Sequence, residues 1–241
     1  MPRFFVTDGS LSPSAREVTL SGEDARHISL SLRMAAGEEL TLSDGEGNDY
    51  LCRLQALTPT AVAAEVLSCR RGEAEPPFPI YVYMAYPKGD KLETVIQKAV
   101  ELGASRIVPF VSERCVKLPK ADRADAKQKR LSRIAEEAAK QCGRSRLPTV
   151  GEPLSFADML REGAKAPLAL FCYEGERAQS LRAVLSGLPC PSEVSVVIGS
   201  EGGFSEAEAR AAREAGFLSV HLGARILRTE YALAALLGKL S

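Results

Sequence analysis

The stretch IGSEGGFSEAE, residues 198–208, places three glycines and an acid where an apolar run, VSVVI, gives way to a helix start. Ser205 and Glu208 have the spacing of a capping box, so the helix is expected to begin at about residue 205. Its free amides and dipole favour an anion. Glu201, in the middle of the loop, opposes a polyphosphate by like-charge repulsion. It suits ribose hydroxyls or a ligand with positive charge, unless the loop is a plain tight turn with a solvated acid. The loop is neither G-x-G-x-x-G nor a Walker A sequence, which argues against a nicotinamide oxidoreductase and a P-loop enzyme.

Two further loops carry similar material. LGARILRTE (222–230) has Gly223 for a turn, the apolar pair Ile226 and Leu227, the cations Arg225 and Arg228, and Thr229 as a helix cap. CYEGER (172–177) follows another apolar run. Ligands of open parallel sheets bind outside the carboxyl ends of the strands. Three glycine-bearing loops there point to one convergent site; the alternative is three ordinary connections.

The elements that must position these loops are legible from the pattern. Residues 80–86, 106–111, 167–172, 194–199 and 218–223 read as strands. Residues 90–103 read as an amphipathic helix with Leu92, Val95, Ile96, Ala99 and Val100 inward, and Asp90 with Glu93 resembles a capping box. Helices are also expected over 125–143, 205–216 and from Thr229 onward. Strand alternating with helix argues for an α/β fold with a parallel sheet. Residues 1–70 read as β-rich, with a hairpin at SDGEGND (43–49). RRGEAEPPFP (70–79) cannot continue a helix or a central strand, so the domains are expected to be 1–72 and 73–241.

The chain has 241 residues, 45% hydrophobic and 26% charged, with no net charge, as expected of a globular protein. No run approaches the ~18 apolar residues of a membrane span, and MPRFFVTDGS is not a signal peptide, so a cytoplasmic protein without a membrane partner is expected. The six cysteines include no C-x-x-C pair and there are two histidines, which argues against a metal site and for reduced packing cysteines. Residues 105–146 hold 12 Lys/Arg against 5 Asp/Glu, a net of +7. That is either a polyanion surface or a solvated helix face.

Several blocks resemble one family. VIGSEGGFSEAEARAAREAGFLSVHLGARILRTE is similar to the C-terminal signature of the small-subunit ribosomal RNA methyltransferase E family of the SPOUT superfamily. KLETVIQKAVELGASRIVPFVSERCVK (91–117), RIAEEAAKQCGRSRLPTV (133–150) and RHISLSLRMAAGEELTLSDGEG (26–47) resemble its central and N-terminal blocks. The resemblance implies a C-terminal SPOUT domain with a parallel sheet and a deep trefoil knot. It also implies a small N-terminal PUA-like β-barrel and a homodimer, for which YALAALL in the last helix is either a dimer face or a core helix. S-adenosylmethionine would sit in the knotted loops, where the expected contacts are Leu170, Phe171, Glu174, Ile198, Gly199, Glu201, Gly202, Leu222, Gly223, Ile226, Leu227, Arg228 and Thr229. The implied product is 3-methyluridine in the decoding region of 16S rRNA, on free RNA or the small ribosomal subunit.

Methylation of the uridine ring nitrogen N3 requires its deprotonation, and a cation beside the carbonyls would stabilise the resulting charge. Arg228 is the candidate, Glu201 and Glu230 are nearby acids, and Glu230 is the second catalytic candidate. Candidate RNA contacts are Arg26, His27, Arg33, Arg114, Lys117, Arg144 and Arg146; His221 is expected to be packed. Ser200 replaces the family's usual proline, and Tyr231 a small residue near the pocket. The alternatives are a related SPOUT enzyme on tRNA or another RNA position, and a non-catalytic ribosome-assembly factor.

Overall fold

The computed structural model describes residues 1–89, 91–115, 124–187 and 189–240. The chain forms two compact units. The first comprises residues 1–75 together with 139–147, and the second residues 76–138 and 148–241. The later segment 139–147, which includes GRSR, groups by its contacts with the first unit.

In the first unit, strands β1 (Arg3–Phe5), β2 (Glu17–Ser21), β3 (Glu39–Ser43), β4 (Asn48–Leu57) and β5 (Ala61–Arg71) form one sheet in the order β1-β3-β4-β5-β2. The β1–β3 pair is parallel and the others antiparallel. Register shifts at Leu51/Cys52 and Leu54/Ala56 interrupt the β4–β5 ladder, and such bulges bend and twist a sheet. The sheet curls over Leu40, Leu42, Tyr50, Leu54, Val62 and, from the short helix α1 (Gly22–Arg26) and the π-turn after it, Ala25 and Ile28. The expected hairpin is present: Asp44 Oδ1 accepts from the backbone N–H groups of Glu46 and Asn48.

Segment 139–147 is held by buried charge. The Arg144 side chain is 2% exposed, and its Nη2 donates to Glu75 Oε2 at 2.7 Å. Glu75 Oε1 accepts from the backbone N–H groups of Ser145 (3.0 Å) and Arg146 (2.9 Å). Nearby, Asp49 accepts from Arg3 Nη2 at 3.0 Å and Ser43 Oγ at 2.7 Å. Burial pushes the Glu75 and Asp49 carboxyls up, but the arginines and the other donors outweigh it and hold both below their usual range. Folded-state values below the unfolded ones stabilise the protein above the ordinary carboxylate range, and that stability is lost as pH falls through the folded values. Melting temperatures measured from about pH 7 to about pH 3 are expected to fall steeply below roughly pH 4, and Glu75→Gln is expected to flatten the curve. An acid limb as steep in Glu75→Gln as in the parent would exclude this carboxylate as its cause.

In the second unit, β6 (Ile80–Ala85), β7 (Arg106–Val111), β8 (Thr149–Val150), β10 (Leu168–Cys172), β11 (Val194–Ile198) and β12 (Leu218–Val220) lie in the order β12-β10-β11-β6-β7-β8, with β9 (Leu154–Ser155) also on β7. Every pairing is parallel. The helices are α2 (Lys91–Glu101), α3 (Ala124–Cys142), α4 (Phe156–Gly163), α5 (Leu181–Ser186), α6 (Glu206–Glu214) and α7 (Thr229–Leu237). The inward face expected of α2 is the buried one. Asp90, the expected cap, lies outside the described residues. Val194, Val196, Val197 and Ile198 are all buried, as in a strand covered on both faces. In α7, Leu233, Leu236 and Leu237 are fully buried within the single chain, and the helix packs on α2. Its leucines are therefore core. None of the six cysteines is in a disulfide; Cys52 is core, whereas Cys69 and Cys190 are exposed rather than packed. No described helix is long and apolar enough to cross a membrane.

Candidate active site

Strands β12, β10 and β11 are neighbours and parallel, so the loops at their carboxyl ends emerge side by side. These are residues 173–180, 199–205 and 221–228. Together with the first turn of α7 they enclose a cavity of about 470 Å³. That lies within the ~300–1,000 Å³ of small-molecule sites.

Each loop is fixed by local chemistry. Ser205 caps α6 in the expected capping box with Glu208. Glu208 Oε1 also accepts from the backbone N–H of Glu113 at 2.8 Å, which ties the turn after β7 to the glycine loop. Gly202 packs directly on Arg114: a Cβ there would lie 2.9 Å from Arg114 Cβ and 3.1 Å from its carbonyl oxygen. Arg114 Nη1 donates to the Gly202 carbonyl at 3.0 Å. Thr229 Oγ1 donates to the Gly199 carbonyl at 3.3 Å, joining the last two loops. Gly223 has φ +136°, and a Cβ there would meet nothing within 4 Å. Only glycine adopts that backbone readily, and its missing side chain leaves the cavity open.

Most of the expected ligand-contacting residues converge. Glu174, Ile198, Gly199, Glu201, Gly202, Leu222, Gly223, Ile226, Leu227, Arg228 and Thr229 all line the cavity. Leu170 and Phe171 do not. They are fully buried in β10, where Phe171 packs on Phe204 at 4.3 Å between centroids, and the cavity wall begins only at Cys172. Burial in that wall pushes the Cys172 thiol up to about 12. Glu230 is also outside the wall. Arg228, Thr229 and Ala232 face the cavity, and the ~100° advance per helical residue carries Glu230 away from them. Its Oε2 is buried without a hydrogen bond among the described residues.

The acid in the glycine loop is committed to the protein. Glu201 Oε1 pairs with Lys91 Nζ at 2.8 Å, and its Oε2 accepts from the Lys88 backbone N–H at 3.1 Å. Burial works against its charge, but Lys91 and the backbone donors outweigh it and hold the carboxyl below its usual range. Glu201 thus braces the β6–α2 connection against the cavity wall.

Arg228 occupies the N-cap of α7, and its guanidinium has no hydrogen bond or ion pair among the described residues. Arg177 and Arg225 share the wall. Sequence reasoning missed His221 as a wall residue. Its Nδ1 accepts from the Gly223 backbone N–H at 3.2 Å. The signal was its place at a strand end beside Gly223. Tyr231 is 62% exposed and does not line the cavity.

Of the expected RNA contacts, Arg26, His27, Arg33, Arg114 and Arg146 are exposed, and Lys117 lies outside the described residues. His27 also sets its ring edge-on to Phe4. Arg144 is not available to a phosphate, because Glu75 encloses its guanidinium. Among the described residues no group of three His, Cys, Asp or Glu is placed to hold a metal.

Residues 74–241 match the model of an RNA methyltransferase domain, and residues 20–67 that of an RNA methyltransferase PUA domain. The chain is 34% identical to the ribosomal RNA small subunit methyltransferase E of Bacillus subtilis, over 98% of this chain and 96% of that protein. It belongs to the ribosomal RNA small subunit methyltransferase E family. The crystal structure of a family member from Neisseria gonorrhoeae, bound to S-adenosyl methionine, is 34% identical, with a TM-score of 0.87 over 100% of this chain and 96% of that one. A putative methyltransferase from Legionella pneumophila, solved with the same cofactor, gives 32% identity and a TM-score of 0.85 over 99% and 96%. The parallel α/β sheet and the curled N-terminal sheet are thus the family's two domains.

Proposed function

We propose that this chain is an S-adenosylmethionine-dependent methyltransferase that methylates N3 of one uridine in the decoding region of 16S rRNA. The observation that carries the reading is the convergence of three strand-end loops on one cavity, in a chain of this family. The cavity fits the cofactor chemically. Gly223 leaves open space beside the backbone, the walls mix apolar side chains with carbonyls, and the local cations are arginines rather than a phosphate cradle. Ile198, Leu222, Leu227 and the glycine-loop backbone would hold the adenosine, and Glu174 the amino-acid end. When bound, S-adenosylmethionine supplies an electrophilic methyl group.

The chain's own residues have separate tasks. The unpartnered Arg228 guanidinium is placed to stabilise the negative charge that spreads over the uracil carbonyls once N3 loses its proton. Thr229 and Glu201 hold the loops in register. The resemblance supports a homodimer and a knotted path near the β11–β12 crossover, and a ribosomal RNA partner is in keeping with a cytoplasmic enzyme.

Because Glu201 is half-exposed and spent on Lys91 and Lys88, Glu201→Ala is expected to weaken cofactor binding only severalfold, in keeping with a surface pair worth about 0–1 kcal/mol. Calorimetric titration with S-adenosylmethionine checks this, and a loss beyond about 100-fold, more than 2.7 kcal/mol, would mean direct contact. The same titration on the parent tests the cofactor assignment: no binding would refute it.

A further inference from the structure

A second recess backs onto the glycine loop. It holds about 80 Å³ and is lined by Tyr86, Lys88, Arg114, Ser200, Glu201 and Gly202. Ser200, Glu201 and Gly202 also line the larger cavity, so the two spaces share one wall. At ~30 Å³ per water the recess accepts two or three waters, or one tetrahedral oxyanion.

Its charge is built and not incidental. Arg114 is held on three sides: the Glu113 N–H is bound by Glu208, its backbone abuts Gly202, and its Nη1 donates to the Gly202 carbonyl. The Lys88 backbone is fixed by Glu201, while its ammonium has no partner among the described residues. Glu201 would repel an anion were it free, but Lys91 neutralises it. With Glu201 neutralised by Lys91, the two cations of the wall, Lys88 and Arg114, leave the recess positive.

We infer that this recess is a phosphate subsite for the RNA substrate, in which Lys88 and Arg114 grip a backbone phosphate beside the target nucleotide. The assignment rests on the RNA methyltransferase reading and adds to it the register of the substrate. A phosphate fixed across a shared wall from the cofactor cavity would hold the adjoining base at the cavity mouth, because phosphate contacts set position and carry no sequence.

The test is the salt dependence of binding to a short single-stranded RNA, for the parent, Lys88→Ala and Lys88→Glu. Lys88 is exposed and unpartnered, so both variants should fold. One lost phosphate contact should reduce the slope of log K against log salt by about 0.7 in Lys88→Ala. Affinity should fall severalfold in Lys88→Ala and further in Lys88→Glu, alike for unrelated sequences. An unchanged slope in both variants overturns the subsite, and if methyl transfer to rRNA persists the parent reading survives. A lost slope without methyl transfer by the parent keeps the subsite and sinks the methyltransferase reading. No RNA binding by the parent overturns the subsite, while methyl transfer to small ribosomal subunits would still uphold the methyltransferase reading.

Discussion

Replacing Arg228 with alanine is expected to lower the rate of methyl transfer by roughly 10²–10³-fold, the cost of removing one preorganised donor, or about 2.7–4 kcal/mol. The residue caps α7 through its backbone only and its guanidinium is unpartnered, so the fold should be unaffected. Charge develops on the uracil as the reaction proceeds, so the loss should fall on kcat and leave the KM for RNA nearly unchanged. Arg228→Lys keeps the charge without the planar fork and should recover part of the rate. Single-turnover kinetics would separate these effects. A variant that loses RNA affinity but keeps its single-turnover rate would make Arg228 a binding residue only.

Arg144→Ala is expected to destabilise the protein by about 3–5 kcal/mol, because it leaves Glu75 charged and enclosed. For a unit of this size the melting temperature should fall by roughly 10 °C or more. Glu75→Ala should cost as much, and it also strips an acceptor from the Ser145 and Arg146 amides. The double change Arg144→Met with Glu75→Leu should cost less than either single change, since no orphan charge remains. If Arg144 instead met a phosphate, its loss would weaken RNA binding and leave the melting temperature in place.

The two residues show where reading from sequence holds and where it stops. Arg228 lies in a loop between a strand and a helix whose limits follow from local pattern, so its place at the mouth of a parallel sheet was legible. So were β11, the capped start of α6 and the inward face of α2. Arg144 lies in a stretch just as loop-like and basic. What buries it is a carboxylate 69 residues earlier in the chain, a pairing with no local signal. The same limit explains Glu201. Its charge suggested a ligand contact, but its partners come from the β6–α2 connection, more than a hundred residues away in sequence. Leu170 and Phe171 were misplaced for a nearer reason: a strand covered on both faces does not show from its residue types where the core ends and the cavity begins. Helical geometry, not composition, separated Glu230 from Arg228.

Methyl transfer to a uridine ring nitrogen can be followed by the fate of the label. Small ribosomal subunits and bare 16S rRNA, both lacking the modification, would be incubated with the protein and labelled S-adenosylmethionine, and the RNA digested to nucleosides. Label is expected in 3-methyluridine, at a single position. Label in another nucleoside, or none in either RNA from a protein that binds the cofactor, would contradict it.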